Sequence, residues 1–284
     1  MAGAAGIPAD GIVLVDKPAG MTSFGATAAV RRTLGVRKAG HAGTLDPFAT
    51  GLLIVLVGRA RRIQRFFTAM PKTYDAVARL GAVSTTGDPE GEITTTGVVP
   101  GDPLRLPTGT IRQRPPAYSA VHVDGERAYA RARRGEEVVI PEREVTVYAF
   151  EQRWREADRA GLRVHCSSGT YIRSLVADLG DAYTEELRRT SIGPFDVADA
   201  DAARVIPLAE AVGFFTSVEV DGEAAWRIAH GQPVQAAAEL RQPTGRWDLP
   251  QTPPEVLVLG ADGPVALAEL RPGGELKPIV GFRA

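Results

Sequence analysis

The hydrophobic and polar positions of the first two hundred residues sort into short strands and amphipathic helices. Residues 11–15 (GIVLV) form an apolar run that ends in Asp16-Lys17-Pro18-Ala19-Gly20, a strand leading into a turn. Thr22 or Ser23 then caps a helix that runs to about Leu34. Residues 35–51, rich in glycine and carrying Pro47, predict a long loop, and 52–57 (LLIVLV) a buried strand. Across 59–70, Ile63, Phe66 and Phe67 share one helical face and arginines occupy the rest. Strand patterns recur at 73–80, 144–150 and 162–166, and the first two enclose a Gly/Pro/Thr-rich, then arginine-rich stretch with few apolar anchors. Tyr171, Leu175 and Leu179, with Ile172 and Val176 beside them, have helical spacing. Near Val205 the character changes. Ile206-Pro207-Leu208 opens a short helical piece, after which Asp221-Gly222, Asp262-Gly263 and Pro272-Gly273-Gly274 punctuate short strands as turns. Residues 240–254 predict an exposed loop, and a small β-rich second domain begins at about 206.

Composition narrows the class. With 44% hydrophobic and 24% charged residues over 284 positions, wholesale disorder is excluded. The apolar run at 52–57 is far too short to cross a bilayer. The opening MAGAAGIPAD lacks a basic stretch followed by an apolar one, so no secretory signal is predicted. Cys166 is the single cysteine, and no Cys/His group has zinc-ligand spacing. The expectation is a cytoplasmic, metal-free protein. Net charge is −1, but its distribution is uneven: between Arg31 and Arg65 eight basic residues face one acid, Asp46. That surplus of seven is either a phosphate-binding patch or the solvated helix faces of an arginine-rich chain.

Four clusters could carry chemistry. In residues 40–51 (GHAGTLDPFATG), three glycines allow close backbone approach, and His41 and Asp46 are the ionisable side chains; Asp46 before Pro47 is equally at home in a turn or helix cap. In residues 166–175 (CSSGTYIRSL) a strand ends and Thr170 is placed to cap a helix with Arg173 in its first turn. A cation there opposes the helix dipole and suggests a specific anionic partner, unless Arg173 is simply exposed. Lys72-Thr73-Tyr74 opens a strand with an aromatic that either stacks on a base or fills the core. The segments 113–120 and 125–134 interleave aromatics with arginines, which suits nucleic acid as well as an amphipathic helix with a solvated basic face.

Together, in this order, the pieces GIVLVDKPAGMTS, GHAGTLDPFATGLL, KTYDA, RPPAYSA, AYARARRGEEV, CSSGTYIRSLVADLG and ELRRTSIGPF resemble the TruB family of tRNA pseudouridine synthases over nearly all of residues 11–195. His122 departs from the pattern where the family usually has Lys. The resemblance implies an α+β fold. A catalytic domain over 1–205, with a central mixed or antiparallel sheet flanked by helices and a thumb-like RNA-binding segment at about 112–144, precedes a PUA-like RNA-binding domain over 206–284. It implies isomerisation of uridine 55 in the tRNA T loop with no cofactor, no membrane, no obligate protein partner, and a monomer. By the same resemblance Asp46 is the catalytic nucleophile, Arg173 orients it, and Tyr74 stacks on the base and helps move a proton. Leu187 packs on the other side of the uracil, His41 fills the space left by a flipped nucleotide, and Lys17 has a positional role. Arg59 in the basic segment, with Arg131, Arg133 and Arg134, would hold phosphates. An RNA-binding module without chemistry predicts damage at Asp46, Tyr74 or Arg173, all of which are present. A glycosidase would need two opposed carboxylates where these loops offer one.

Overall fold

The computed structural model describes residues 10–119, 121–123, 125–136, 138–236, 239–243 and 254–282. The leader reading at residues 1–9, most of the loop reading at 240–254, and Ala120, Asp124 and Glu137 of the arginine-rich stretch lie outside the described residues.

Among the described residues a ten-stranded mixed sheet runs in the order Ile206–Pro207, Gly11–Lys17, Thr50–Val57, Ala182–Ile192, Lys72–Leu80, Arg159–Cys166, Arg143–Glu156 and Gly109–Gln113, with Ala39–Ala42 and Phe195–Asp196 attached beside this path. Residues 11–15 of Gly11–Lys17 and 51–57 of Thr50–Val57 are continuously apolar because both their faces are covered. Ile12, Leu14, Leu52, Ile54 and Leu56 pack with Ile63, Phe67, Phe195, Phe214 and Phe215, while Val13, Val15, Leu53, Val55 and Val57 pack against Ala26 and Val30 of the helix Ser23–Thr33. Thr22 caps that helix by accepting from the Gly25 amide, at 3.0 Å; Ser23 is committed elsewhere. Lys72–Leu80 alternates strictly, burying Lys72, Tyr74, Ala76, Ala78 and Leu80 on one side.

The pairing of Ala182–Ile192 with Thr50–Val57 is parallel and brief, at Arg188–Thr50 and Arg189–Gly51. Gly51 has φ +101, and a Cβ on it would run into the Arg189 backbone, so glycine is required where these strands meet. The junction brings the 40–51 loop against Ala182–Ile192, and the site is built there.

A second sheet contains Thr216–Glu219, Glu255–Gly260, Gly263–Leu270, Glu275–Gly281 and Val234–Gln235, backed by the helix Gly222–Ala229. It shares apolar contacts with the first: Leu257, Leu267 and Phe282 join the cluster holding Phe214 and Phe215. Among the described residues no helix is long and apolar enough to cross a membrane.

Several local expectations need correction. The strand Ala39–Ala42 interrupts the predicted 35–51 loop, its small residues hiding the strand pattern. The predicted helix at 59–70 is a 3-10 turn, Gly58–Ile63, followed by the α-helix Gln64–Ala69. Asp221-Gly222 is a helix cap rather than a strand turn, with the Asp221 carboxylate accepting from the Ala224 amide at 2.8 Å. Arg241, inside the predicted exposed loop, pairs with Ser217 as an isolated bridge.

Candidate active site

Asp46 is aimed by buried polar anchors rather than by a regular element. The fully buried Lys17 spends its ammonium on the carbonyls of Pro18, Met21 and Pro47 at 3.0, 2.7 and 3.2 Å. The Gly20 amide donates to Pro47 O at 2.8 Å, and the Ser23 hydroxyl both donates to Leu45 O and accepts from Leu45 N. These contacts bracket Asp46 on both sides of its backbone.

Arg173, 3% exposed, stands at the second position of the helix Ile172–Ala177. Its Nε lies 2.9 Å from Asp46 Oδ2, an ion pair whose N–H is not aligned as a hydrogen bond. The rest of the guanidinium is clamped: Nη1 donates to Thr86 O at 2.7 Å and meets Asp88 Oδ2 at 3.0 Å, and Nη2 donates to Tyr118 O at 2.8 Å. Asp88 is in turn fixed by the Thr86 hydroxyl at 2.5 Å and the Glu90 amide at 3.0 Å. Two carboxylates thus balance the cation at the helix start. Thr170 does not cap this helix, its hydroxyl donating instead to Ser167 O. The buried Gln113 holds the helix entrance by a two-way bond with the Tyr171 backbone.

The half-buried Asp46 has its pKa raised above the usual carboxylate value, first by burial, with Arg173 and Lys17 opposing and Asp88 adding to the rise. Burial likewise raises the Tyr74 phenol, against the pull of Arg189. Tyr74 and Arg189 are directly opposed across Lys72–Leu80 and Ala182–Ile192, and Leu187 lies opposite Ala76 two residues along. Asp46, Arg173, Tyr74, Leu187, Lys72, Arg189 and Arg143 line one cavity of about 290 Å³. A larger groove of about 640 Å³ opens beside Asp75, Arg163 and Trp154, but its charges are satisfied by neighbours, as in Arg163–Asp75 and Arg188–Asp16.

Other predicted residues sit elsewhere. His41, on Ala39–Ala42, does not line the cavity; its buried Nδ1 has no hydrogen-bond partner among the described residues, and burial lowers its pKa. Arg59 pairs with Asp10 at 2.6 Å and donates to Phe282 O, just past the second sheet's last strand. Arg131 pairs with Glu136 at 2.9 Å, and Arg134 with Glu126 and Glu136 at 2.6 and 2.7 Å. Arg133 lies 5.7 Å over the Tyr129 ring, and His122 is exposed opposite Arg127. Sequence reasoning missed Asp88, Gln113, Lys72 and Arg189. Asp88 hides in a polar turn 85 residues from its partner, and Arg189 is one half of an Arg-Arg pair of which only this half is buried.

Residues 31–172 match the family model described as TruB family pseudouridylate synthase (N terminal domain). The chain is 40% identical to tRNA pseudouridine synthase B of Leifsonia xyli subsp. xyli, over 98% of each chain. It is 42% identical to the protein of the same name in Thermobifida fusca, over 96% of this chain and 99% of that one. Among solved structures, a chain of a Cbf5-Nop10-Gar1 complex superposes with a TM-score of 0.66 at 28% identity, covering 91% of this chain and 78% of that one.

Proposed function

Because the chain belongs to the TruB family of pseudouridylate synthases, we propose that it converts a uridine of tRNA, uridine 55 in the T loop, into pseudouridine. The observation that carries this reading is the Asp46–Arg173–Asp88 clamp at a cavity walled by Tyr74 and Leu187.

The reaction breaks the bond from C1′ to N1, turns the base and rejoins it through C5, and it begins and ends at one oxidation level. Asp46 meets the positive charge developing at C1′, which requires its ionised form. Burial alone would favour the protonated acid, and the Arg173 guanidinium holds the negative charge in place. Asp88 holds the guanidinium from behind, so that Nε faces Asp46 rather than swinging into the cavity. Tyr74 and Leu187 form apolar walls for a planar ring. Burial raises the phenol, so Tyr74 meets the base as a neutral hydroxyl through which a proton is moved. A base inside a folded RNA loop reaches this cavity only by leaving its stack. Asp88 does not make the site a two-carboxylate hydrolase, since it lies behind Arg173 and does not line the cavity.

In this reading residues 1–205 are the catalytic domain, with 112–144 as the RNA-closing thumb, and 206–284 form the PUA-like RNA-binding domain. Lys17 positions Asp46 through Pro47. His41 fills the space vacated by the flipped nucleotide, and the exposed arginines, Arg133 among them, meet phosphates. The protein acts on RNA in the cytoplasm as a monomer, without a cofactor. Mapping pseudouridine in a tRNA transcript tests the assignment: modification at position 55 supports it, and modification elsewhere or none overturns it.

A further inference from the structure

Among the described residues, two buried cations lining the cavity pair with no carboxylate. Arg189 is 1% exposed and its guanidinium donates to Leu52 O at 2.7 Å and Gly43 O at 3.1 Å. Lys72, 5% exposed, donates to Thr68 O and Met70 O at 2.8 and 2.5 Å. The two are neighbours: a Cβ on Gly43 would lie 3.5 Å from Lys72 Cε and 3.6 Å from Arg189 Nη1. Among the described residues neither forms an ion pair, and Arg189 adds to the cost of keeping Lys72 charged. Lys17 shows the contrast. It too is buried on carbonyls, but three of them take all three of its N–H groups, and Asp46 and Glu90 supply compensating charge. Burial beside Arg189 brings Lys72 down to about 7, as an uncompensated site would. Adjacent buried cations left without an anion are costly unless a ligand brings one.

We propose that Arg189 and Lys72 form an anion hole for the departing base, taking the negative charge that uracil acquires when its bond to C1′ breaks. The inference rests on the function proposed above. The location selects the base over a phosphate. Arg189 is directly opposite Tyr74 and two residues from Leu187 on the same strand face, so a ring lying between Tyr74 and Leu187 lies beside the Arg189 side chain. A phosphate there would have to be stripped of water at the cavity floor. On cleavage the electron pair of the C1′–N1 bond stays with uracil and spreads over O2, C5 and O4. That pair then forms the new C1′–C5 bond, C5 releases its proton and N1 takes one up. The anion exists only between the two bonds, so its stabilisation belongs to the chemical step and not to binding.

The test compares T-stem-loop RNAs carrying uridine or 5-fluorouridine at the target, under saturating single-turnover conditions, with loss of the N-glycoside as the readout. Fluorine makes the base anion intrinsically more stable, so the protein's contribution matters less. Arg189→Gln should slow loss of uridine by about 10²–10³-fold, as removal of an oxyanion-hole donor does. RNA affinity should stay within about threefold, and the slowing should shrink at least about tenfold with 5-fluorouridine. If Arg189→Gln does not fold, Lys72→Gln, whose amide still donates toward the Thr68 carbonyl, carries the same comparison. Equal slowing on both RNAs, or a defect that disappears at saturation as loss of a phosphate contact would, overturns the anion hole. A wild-type protein that consumes neither RNA overturns the proposed function instead.

Discussion

At the scale of single residues, the site is an electrostatic compromise between burial and a clamped guanidinium. Asp46 and Asp88 compete for Arg173, and the hydrogen bonds of Nη1 and Nη2 to Thr86 O and Tyr118 O leave Nε for Asp46. A lysine in that place offers a point charge without the planar fork and cannot keep Asp88, both carbonyls and Asp46 at once. Arg173→Lys should therefore lower kcat at least about tenfold while RNA affinity changes little. The same variant has a pH signature. In the proposed reaction Asp46 acts ionised; its pKa is already raised, so weaker support from the guanidinium raises it further, and the acidic limb of the kcat profile should move to higher pH. A variant with wild-type kcat and an unmoved limb would remove Arg173 from the support of Asp46. The Asp46 and Arg173 motifs were legible in the sequence because each is a dense local cluster. Asp88 and Arg189 were not, because what distinguishes them is a partner, or the lack of one, that only the folded chain shows.

At the scale of elements, the legible strands were those whose burial is regular. Gly11–Lys17 and Thr50–Val57 carry continuous apolar runs over 11–15 and 51–57 because both faces are covered there, and Lys72–Leu80 alternates. The strand Ala182–Ile192, which carries Leu187 and Arg189 and occupies the middle of the sheet, shows neither pattern. Its register shifts between Thr184 and Glu186 and again between Arg189 and Ser191, and its buried positions include a threonine and an arginine. Gly51 permits its parallel contact with Thr50–Val57, a requirement set by backbone geometry and carrying no hydrophobic signal. Behind this junction Phe67, fully buried, stacks near Phe195 and Phe214 at 5.8 and 5.9 Å between ring centres. Phe67→Ala should cost about 3–5 kcal/mol in denaturant unfolding, through lost burial and the cavity left behind. A loss under about 1 kcal/mol would show that this aromatic cluster does not hold the base of the sheet.

At the scale of the whole molecule, a chain of net charge −1 binds a polyanion only if its positive charge is concentrated and available. Some of it is already engaged: Arg59 and Arg62 reach Phe282 O and Gly281 O on the second sheet, and Arg131 and Arg134 pair with Glu126 and Glu136. RNA that contacts Arg131 and Arg134 must draw them from these glutamates. Replacing Arg131, Arg133 and Arg134 together with alanine should flatten the slope of log affinity against log salt by about two units, at roughly 0.7 per phosphate contact. Glu136→Gln should tighten binding; an unchanged slope in the triple variant would place the RNA elsewhere. The central claim is that Asp46 drives rearrangement of one T-loop uridine, and release of tritium from C5 measures it most directly, because forming the new C1′–C5 bond expels that hydrogen. With [5-³H]uridine at position 55 of a T stem-loop, the wild-type protein should release about one equivalent of tritium per RNA. Asp46→Asn should release less than about a tenth as fast while still binding the RNA. Release by Asp46→Asn at the wild-type rate, or no release by the wild-type protein, would contradict it.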